Sequence, residues 1–196
     1  MNKKRDYILN ALGIYMLLIF VYNLINMFYA GEQLEIFWLC NHVTLIIGLA
    51  ILFRSQKVLI AELSIIFLVS LTWTIDLIFL FTTGMSLISD IRFFWDQNIF
   101  YQIATVLIHT TVIPISLWAI LFIGKKIEIK KTMIIFLLHW AALIFFGYFL
   151  KGYNFNCVFH SCINFIPDFK FHFLMAIGVY SVLMIIVNYT INKILR

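Results

Sequence analysis

Charged residues are scarce in this sequence, since Asp, Glu, Lys and Arg make up 12% of its 196 residues and hydrophobic residues make up 64%. The mean hydropathy is +1.02. A soluble domain of this size could not keep so much apolar surface away from water. The shortage of charge therefore excludes a soluble globular protein and predicts an integral membrane protein.

Other absences narrow the class further. The three cysteines form no C-x-x-C pair, so the pattern gives little support for thiol-redox chemistry. The sequence has no internal repeat, low-complexity tract or long polar stretch. We therefore expect one domain, residues 1–196.

Long apolar runs are what the sequence does contain. A membrane-spanning helix needs about 20 apolar residues, and we expect an all-α, polytopic fold of six such helices in one bundle. The first run is longer than the apolar region of about 7–15 residues in a signal peptide, so we expect it to be retained. The expected spans are 7–29, 34–53, 58–83, 99–123, 132–150 and 173–191.

The cations predict the orientation. With both termini in the cytoplasm, eleven of the fourteen Lys and Arg residues lie on that side, which the positive-inside rule favours. The net charge of +5 is then a topology signal and does not imply nucleic acid binding. The cytoplasmic set is Lys3, Lys4, Arg5, Arg54, Lys57, Lys125, Lys126, Lys130, Lys131, Lys193 and Arg196.

Polar residues in the fourth predicted helix lie on one face. Gln102, Thr105, His109 and Ser116 follow helical spacing, so we expect this stripe to face the bundle interior, with a kink at Pro114. A histidine at this depth is a functional-site hypothesis if it has a partner.

Two neighbouring predicted helices offer such partners. Cys40 and Thr44 share one face of the second helix, and Asp76 of the third helix is expected at the depth of Cys40, one turn from Trp73. Cys40, Asp76 and His109 would then form a nucleophile, a carboxylate and a base. Inside lipid, this set suits the attack of a thiolate on an acyl ester.

The remaining predicted roles follow from this hypothesis. We expect no cofactor and no metal among the site residues, and membrane lipids, including a fatty-acyl ester, as partners. The side chains expected to contact substrate are Asn41, Thr44, Trp73, Gln102 and Thr105.

Structural roles are the alternative for each residue. A membrane cysteine is often a small buried hydrophobe, and a membrane histidine often bonds a neighbouring helix. We expect His42 to reach such a helix contact, His139 to lie too far from Cys40 for a direct role, and Glu62 to extend toward the cytoplasmic end.

Two short motifs, "LIHTTVIPI" and "WLC", resemble the androgen-induced protein family of multipass membrane hydrolases, which includes the androgen-dependent TFPI-regulating protein. The resemblance implies hydrolysis of fatty acid esters of hydroxy fatty acids, with His109 as the family histidine. The family nucleophile, a threonine, falls at Cys40, and a cysteine here is similar to a related lipid acyltransferase family and to YwaF-type bacterial proteins. Val106 replaces the first histidine of the family motif.

The aromatic segment 151–172 is expected outside the cell membrane. Cys157 and Cys162 could form a disulfide there, or join His160 and His172 in a metal site, or remain unpaired in an interfacial loop. The segment could also act as a lid over the site.

Two functions compete at this point. The first is an intramembrane acyl-ester hydrolase or acyltransferase in a microbial plasma membrane. The second is the non-enzymatic, small-molecule-binding subunit of an uptake transporter, with His109, Asp76 and Gln102 as ligand-binding residues.

Overall fold

The structure is a computed structural model, and it describes residues 3–88, 91–125, 129–149 and 172–195. All regular secondary structure assigned within these ranges is helical. Two are short 3₁₀ helices, Gln33–Phe37 and Arg92–Asp96. The α-helices are α1 (Lys3–Ala30), α2 (Leu39–Leu52), α3 (Gln56–Thr83), α4 (Ile99–Ile123), α5 (Ile129–Phe149) and α6 (His172–Ile194).

Five of these helices are long and apolar enough to cross a membrane, namely α1, α3, α4, α5 and α6. The helical, multi-span membrane fold predicted from the sequence is thereby confirmed. The predicted second span, 34–53, is instead divided. Trp38 has an extended backbone (φ −64, ψ 136) between the first 3₁₀ helix and α2, so α2 has 14 residues and is only about 21 Å long.

Helices α1 and α2 are antiparallel and packed closely at two glycines. A Cβ built on Gly13 would lie 3.1 Å from the carbonyl oxygen of Gly48, and one built on Gly48 would lie 3.2 Å from that of Gly13. The side chains of Leu52 and Leu17 fill the space beside them. Small residues allow this close backbone approach, which is a main source of helix association in lipid.

One end of the bundle is rich in cations, and we call it the basic end. Arg54 (φ 55) follows α2 there and donates to the carbonyl oxygens of Ile51 at 2.6 Å and Leu52 at 3.1 Å. It also donates to Asn10 Oδ1 at 2.6 Å and lies 3.8 Å from the carboxylate of Asp6. Arg54 thus caps the carbonyl groups that a helix C-terminus leaves unpaired.

Helix α3 lies at the centre of the bundle, where it packs against α2, α4, α5 and α6. At the basic end, the side chain of Gln56 accepts a hydrogen bond from Lys125 N at 2.7 Å. At the opposite end, which we call the far end, Asn98 caps α4 by accepting from Tyr101 N at 2.9 Å. The predicted interior stripe of α4 is confirmed for Thr105, His109 and Ser116, which are buried, whereas Gln102 is half-buried.

Helices α5 and α6 complete the bundle. Asn188 of α6 donates to the hydroxyl of Thr132 at 3.3 Å, and both residues are buried. Trp140 of α5 lies against Tyr180 of α6, with ring centroids 5.4 Å apart. Apolar side chains such as Leu138 and Ile186 are exposed on the outer surface, as expected of a surface in contact with lipid.

The contact between α1 and α2 predicts the effect of enlarging its glycines. Gly13→Val should destabilise the protein by on the order of 1–3 kcal/mol, because the branched side chain meets Leu52 and the backbone of α2. Gly178→Val is the matched control, since nothing lies within 4 Å of a Cβ at that position. The melting temperatures of the purified variants in detergent measure the difference. Equal melting temperatures would contradict the close contact.

Candidate functional site

The polar side chains at the start of α2 contact the C-terminal end of the first 3₁₀ helix. Nδ2 of Asn41 donates to the carbonyl oxygen of Glu35 at 2.6 Å, and Nδ1 of His42 lies 3.2 Å from the carbonyl oxygen of Ile36. The last carbonyl groups of a helix can accept bonds from outside it, and the Glu35 carbonyl also accepts from Trp38 N at 3.0 Å. The first turn of α2 therefore fixes the position of the 3₁₀ helix through two consecutive side chains.

Cys40 lies beside this junction, in the first turn of α2. Its Sγ is 3.6 Å from Oδ1 of Asn41, which also accepts a hydrogen bond from Nδ2 of Asn23 at 2.9 Å. The thiol is half-buried and free. The hydroxyl of Thr44 donates to the carbonyl oxygen of Cys40 at 2.6 Å, so its proton is already engaged.

The carboxyl of Glu35 faces the same region. The hydroxyl of Tyr101 donates to it, and Glu35 interacts electrostatically with the thiol of Cys40. Burial, the negative charge of Glu32 and a hydrogen bond with Glu32 raise the pKa of Glu35 from 4.5 to about 7. A carboxyl with this pKa can accept or donate a proton near neutral pH.

The predicted base, His109, lies in a different environment. Its ring is stacked on Trp73 with centroids 4.6 Å apart and an interplanar angle of 7°. The residue is 3% exposed, and its Nδ1 has no hydrogen-bond partner in the described part of the chain. Its carbonyl oxygen accepts a hydrogen bond from the hydroxyl of Thr74 at 3.1 Å.

Asp76 and Gln102 hold the connection between α3 and α4. Oδ1 of Asp76 accepts from the backbone N–H groups of Leu87 at 2.8 Å and Ile88 at 2.7 Å. Nε2 of Gln102 donates to the carbonyl oxygens of Phe94 at 3.1 Å and Gln97 at 3.0 Å. Both polar side chains therefore have structural partners.

The structure thus brings together only part of the predicted set. Cys40 lies with Asn41 and Thr44, and Trp73 lies with His109. Within the described ranges, no hydrogen bond joins His109 to Cys40 or to Asp76. The role of His109 as the base for Cys40 remains a prediction.

Sequence reasoning missed a buried contact of three titratable side chains. Oε2 of Glu62 lies 2.8 Å from Nδ1 of His139, and Nε2 of His139 lies 2.9 Å from Nε2 of His42. The expected helix contact of His42 is confirmed. The expectation that Glu62 extends to the cytoplasmic end is wrong, because Glu62 is 2% exposed and its charge is met by a histidine instead of water.

The described residues do not form a metal site. In the part of the chain that the structure describes, no group of three or more His, Cys, Asp or Glu side chains could hold a metal ion. The predicted disulfide, metal site and lid involving Cys157, His160 and Cys162 lie outside the described residues.

Comparison of the chain with protein-family models, with curated proteins and with solved structures finds no match in any of the three.

The raised pKa of Glu35 predicts how stability depends on pH. The folded state holds the Glu35 proton more tightly than the unfolded chain, so this contribution to stability is complete below about pH 4.5 and is lost as the pH rises to about 7. The melting temperature in detergent should fall over that interval. Glu35→Gln should remove this part of the fall.

Glu32→Gln is the control for that measurement. It removes the neighbouring charge that helps raise the pKa of Glu35, so the fall should become smaller and occur at lower pH. An identical pH dependence in the wild type and in Glu35→Gln would contradict the assignment.

Proposed function

We propose that the protein is an integral membrane enzyme that hydrolyses or transfers the acyl group of a lipid ester, with Cys40 as the nucleophile. One observation carries this proposal. The thiol of Cys40 lies in the first turn of α2, 3.6 Å from Oδ1 of Asn41, and it interacts electrostatically with the carboxyl of Glu35. Together, these three side chains provide a nucleophile, an oriented amide and a proton acceptor at the far end of the bundle.

A thiol becomes a strong nucleophile when a base takes its proton. We assign this base to Glu35, because its carboxyl interacts electrostatically with Cys40 and its pKa of about 7 suits this step. The thiolate attacks the ester carbonyl carbon, the bond to the alcohol oxygen breaks, and the proton held by Glu35 passes to the leaving alcohol. Water or a second lipid alcohol then resolves the acyl-thioester.

Asn41 is the side chain best placed to orient the reacting groups. Its amide is fixed by Asn23 on one side and by the Glu35 carbonyl on the other. Such fixed polar groups can stabilise developing charge without reorganising. The resemblance of "WLC" to the cysteine-containing acyltransferase motif supports the same assignment of Cys40.

The placement in the membrane is part of the proposal. We place the basic end, with both termini, in the cytoplasm and the first 3₁₀ helix at the opposite interface, where its residues are exposed or half-buried. Helix α2 then serves as a short sixth crossing, because α1 ends at the far end and α3 starts at the basic end. Cys40 lies close to the interface, where a lipid ester bond is found.

A second candidate function is the binding of a small molecule beside α3 and α4. The observation that favours it is a pair of buried polar atoms, Nδ1 of His109 and Oγ of Ser70, that lack partners within the described ranges. Buried polar groups are normally paired, so a ligand could supply the missing contacts. Asp76 and Gln102 would not take part, since both hold backbone groups.

Covalent labelling tests the enzymatic proposal. Purified protein is treated with a long-chain acyl ester carrying an activated leaving group, and the adduct is followed by intact mass. Wild type should acquire one acyl group on Cys40, and Cys40→Ala should acquire none. Glu35→Gln should label at least about 100-fold more slowly, which is the lower end of the contribution of a general base.

Two further variants separate the possible bases. Glu32→Gln should keep the maximal labelling rate and shift its pH midpoint below about 7, because the pKa of Glu35 falls when that charge is removed. His109→Gln tests the base predicted from the sequence. Slow labelling in this variant, with a normal rate in Glu35→Gln, would assign the base to His109. A Cys40 that is inert to every acyl ester would refute the enzyme and favour the ligand site.

A further inference from the structure

Three titratable side chains from three helices form a continuous buried chain. Glu62 of α3 lies 2.8 Å from His139 of α5, His139 lies 2.9 Å from His42 of α2, and His42 lies 3.2 Å from the carbonyl oxygen of Ile36. We infer that Glu62, His139 and His42 form a proton-binding site that holds one exchangeable proton and conducts it along the chain.

The atoms that meet in these contacts determine how many protons the chain holds. A carboxylate oxygen, an unprotonated imidazole nitrogen and a carbonyl oxygen are all acceptors. At separations of 2.8–3.2 Å, each of the three contacts can hold one proton between its two atoms. Oε2 of Glu62 and Nδ1 of His139 lie close together without hydrogen-bond alignment, so a rotation of the imidazole or of the carboxyl completes that contact. Two neutral imidazoles supply only two protons, so the third must be shared by Glu62 and His139, and the complete chain has no net charge.

The proton positions follow from the carbonyl group at one end. A carbonyl oxygen only accepts, so Nδ1 of His42 must carry a proton and its Nε2 must accept from Nε2–H of His139. The third proton then lies between Nδ1 of His139 and the carboxylate of Glu62. This arrangement assigns one proton to each of the three contacts.

Loss of one proton from Nδ1 of His42 reverses the chain. The Nε2 of His42 then carries a proton and donates to His139, which donates through Nδ1 to the carboxylate of Glu62. When a proton returns to Nδ1 of His42, its Nε2 proton passes to His139 and the Nδ1 proton of His139 passes to Glu62. One proton enters at His42 and one arrives at Glu62, with no bond other than N–H and O–H changed.

The site is shielded from solvent, and neighbouring titratable side chains have partners of their own. The side chains of His139 and Glu62 are 9% and 3% exposed. Two titratable groups from neighbouring elements have ring partners of their own, since His109 of α4 stacks on Trp73 and Tyr180 of α6 lies against Trp140.

The other ionisable groups nearby are engaged elsewhere. The thiol of Cys40, on α2 itself, faces Asn41. Glu35, beside Ile36 on the first 3₁₀ helix, has a pKa of about 7, and its carboxyl accepts from the hydroxyl of Tyr101. The charged residues of α1 lie at the basic end, where Arg5 donates to the carbonyl oxygen of Ile123 and Asp6 lies against Arg54. Ionisable chains of this kind inside a membrane bundle are a common form of proton relay.

The chain does not depend on the acyl chemistry proposed for Cys40. It uses none of the atoms assigned to that reaction, and it would persist if the thiol proved inert. The competing explanation is a purely structural contact, in which the two histidines keep fixed proton positions at every pH.

Nitrogen-15 NMR of the full-length protein, labelled at histidine and held in lipid nanodiscs, distinguishes the two. Single His→Gln variants assign the signals of His42 and His139. As the pH rises between about 5 and 8, both rings should exchange their protonated nitrogens in one common step. Titration of the two rings in separate steps, or fixed proton positions throughout this range, would overturn the proposal.

The same titration of the Glu62→Gln variant is a second test. A glutamine amide can donate to Nδ1 of His139, so two neutral imidazoles satisfy the whole chain and no exchangeable proton remains. The common step should disappear, with the proton of His42 fixed on Nδ1. A step that persists in this variant would overturn the proposal.

Ser64→Ala is the matched control on α3, because the hydroxyl of Ser64 bonds within its own helix to the Ile60 carbonyl at 2.6 Å. It should leave the step unchanged, and a loss of the step there would overturn the assignment to Glu62. If Glu62→Gln fails to fold, the wild-type titration alone still decides, since a structural contact gives no common step.

Discussion

The structure depends on one constraint: a polar group placed among apolar helices must find its partner within the protein. Helix α2 begins inside the bundle, and its first turn meets this constraint for the segment before it. The side chains of Asn41 and His42 pair with two consecutive carbonyl groups of the 3₁₀ helix. The same two side chains then reach outward, Asn41 to Asn23 and Cys40, and His42 to His139.

Different side chains meet this constraint at the two ends of the bundle. At the basic end, Arg54 and Gln56 pair backbone groups of neighbouring helices close to the membrane surface. At the far end, Asp76 and Gln102 form hydrogen bonds with backbone groups of the connection between α3 and α4. Between the two ends, Glu62, His139 and His42 bring ionisable groups of three helices together. Cys40 interacts electrostatically with Glu35, and the proposed chemistry rests on these two sets of residues.

Much of the fold was predictable because hydrophobicity and length decide where membrane helices lie. The predicted fourth span, 99–123, agrees with α4, and the interior face through His109 followed from helical spacing. The partners of Glu62 and Asp76 were not predictable. His42 and His139 are 97 positions apart, and their contact depends on the rotation of two nearly uniformly apolar helices, which spacing alone does not fix. The carboxylate of Asp76 binds a loop whose path the sequence does not indicate.

The central claim is that buried ionisable groups on different helices stabilise one another, and the pair of Glu62 and His139 tests it most directly. A double-mutant cycle with Glu62→Leu and His139→Leu measures the free energy of unfolding in mixed micelles. Each single change leaves a buried polar partner unpaired, so the double variant should be more stable than the sum of the two single losses predicts, by at least about 1 kcal/mol. Losses that add within about 0.3 kcal/mol would contradict the account.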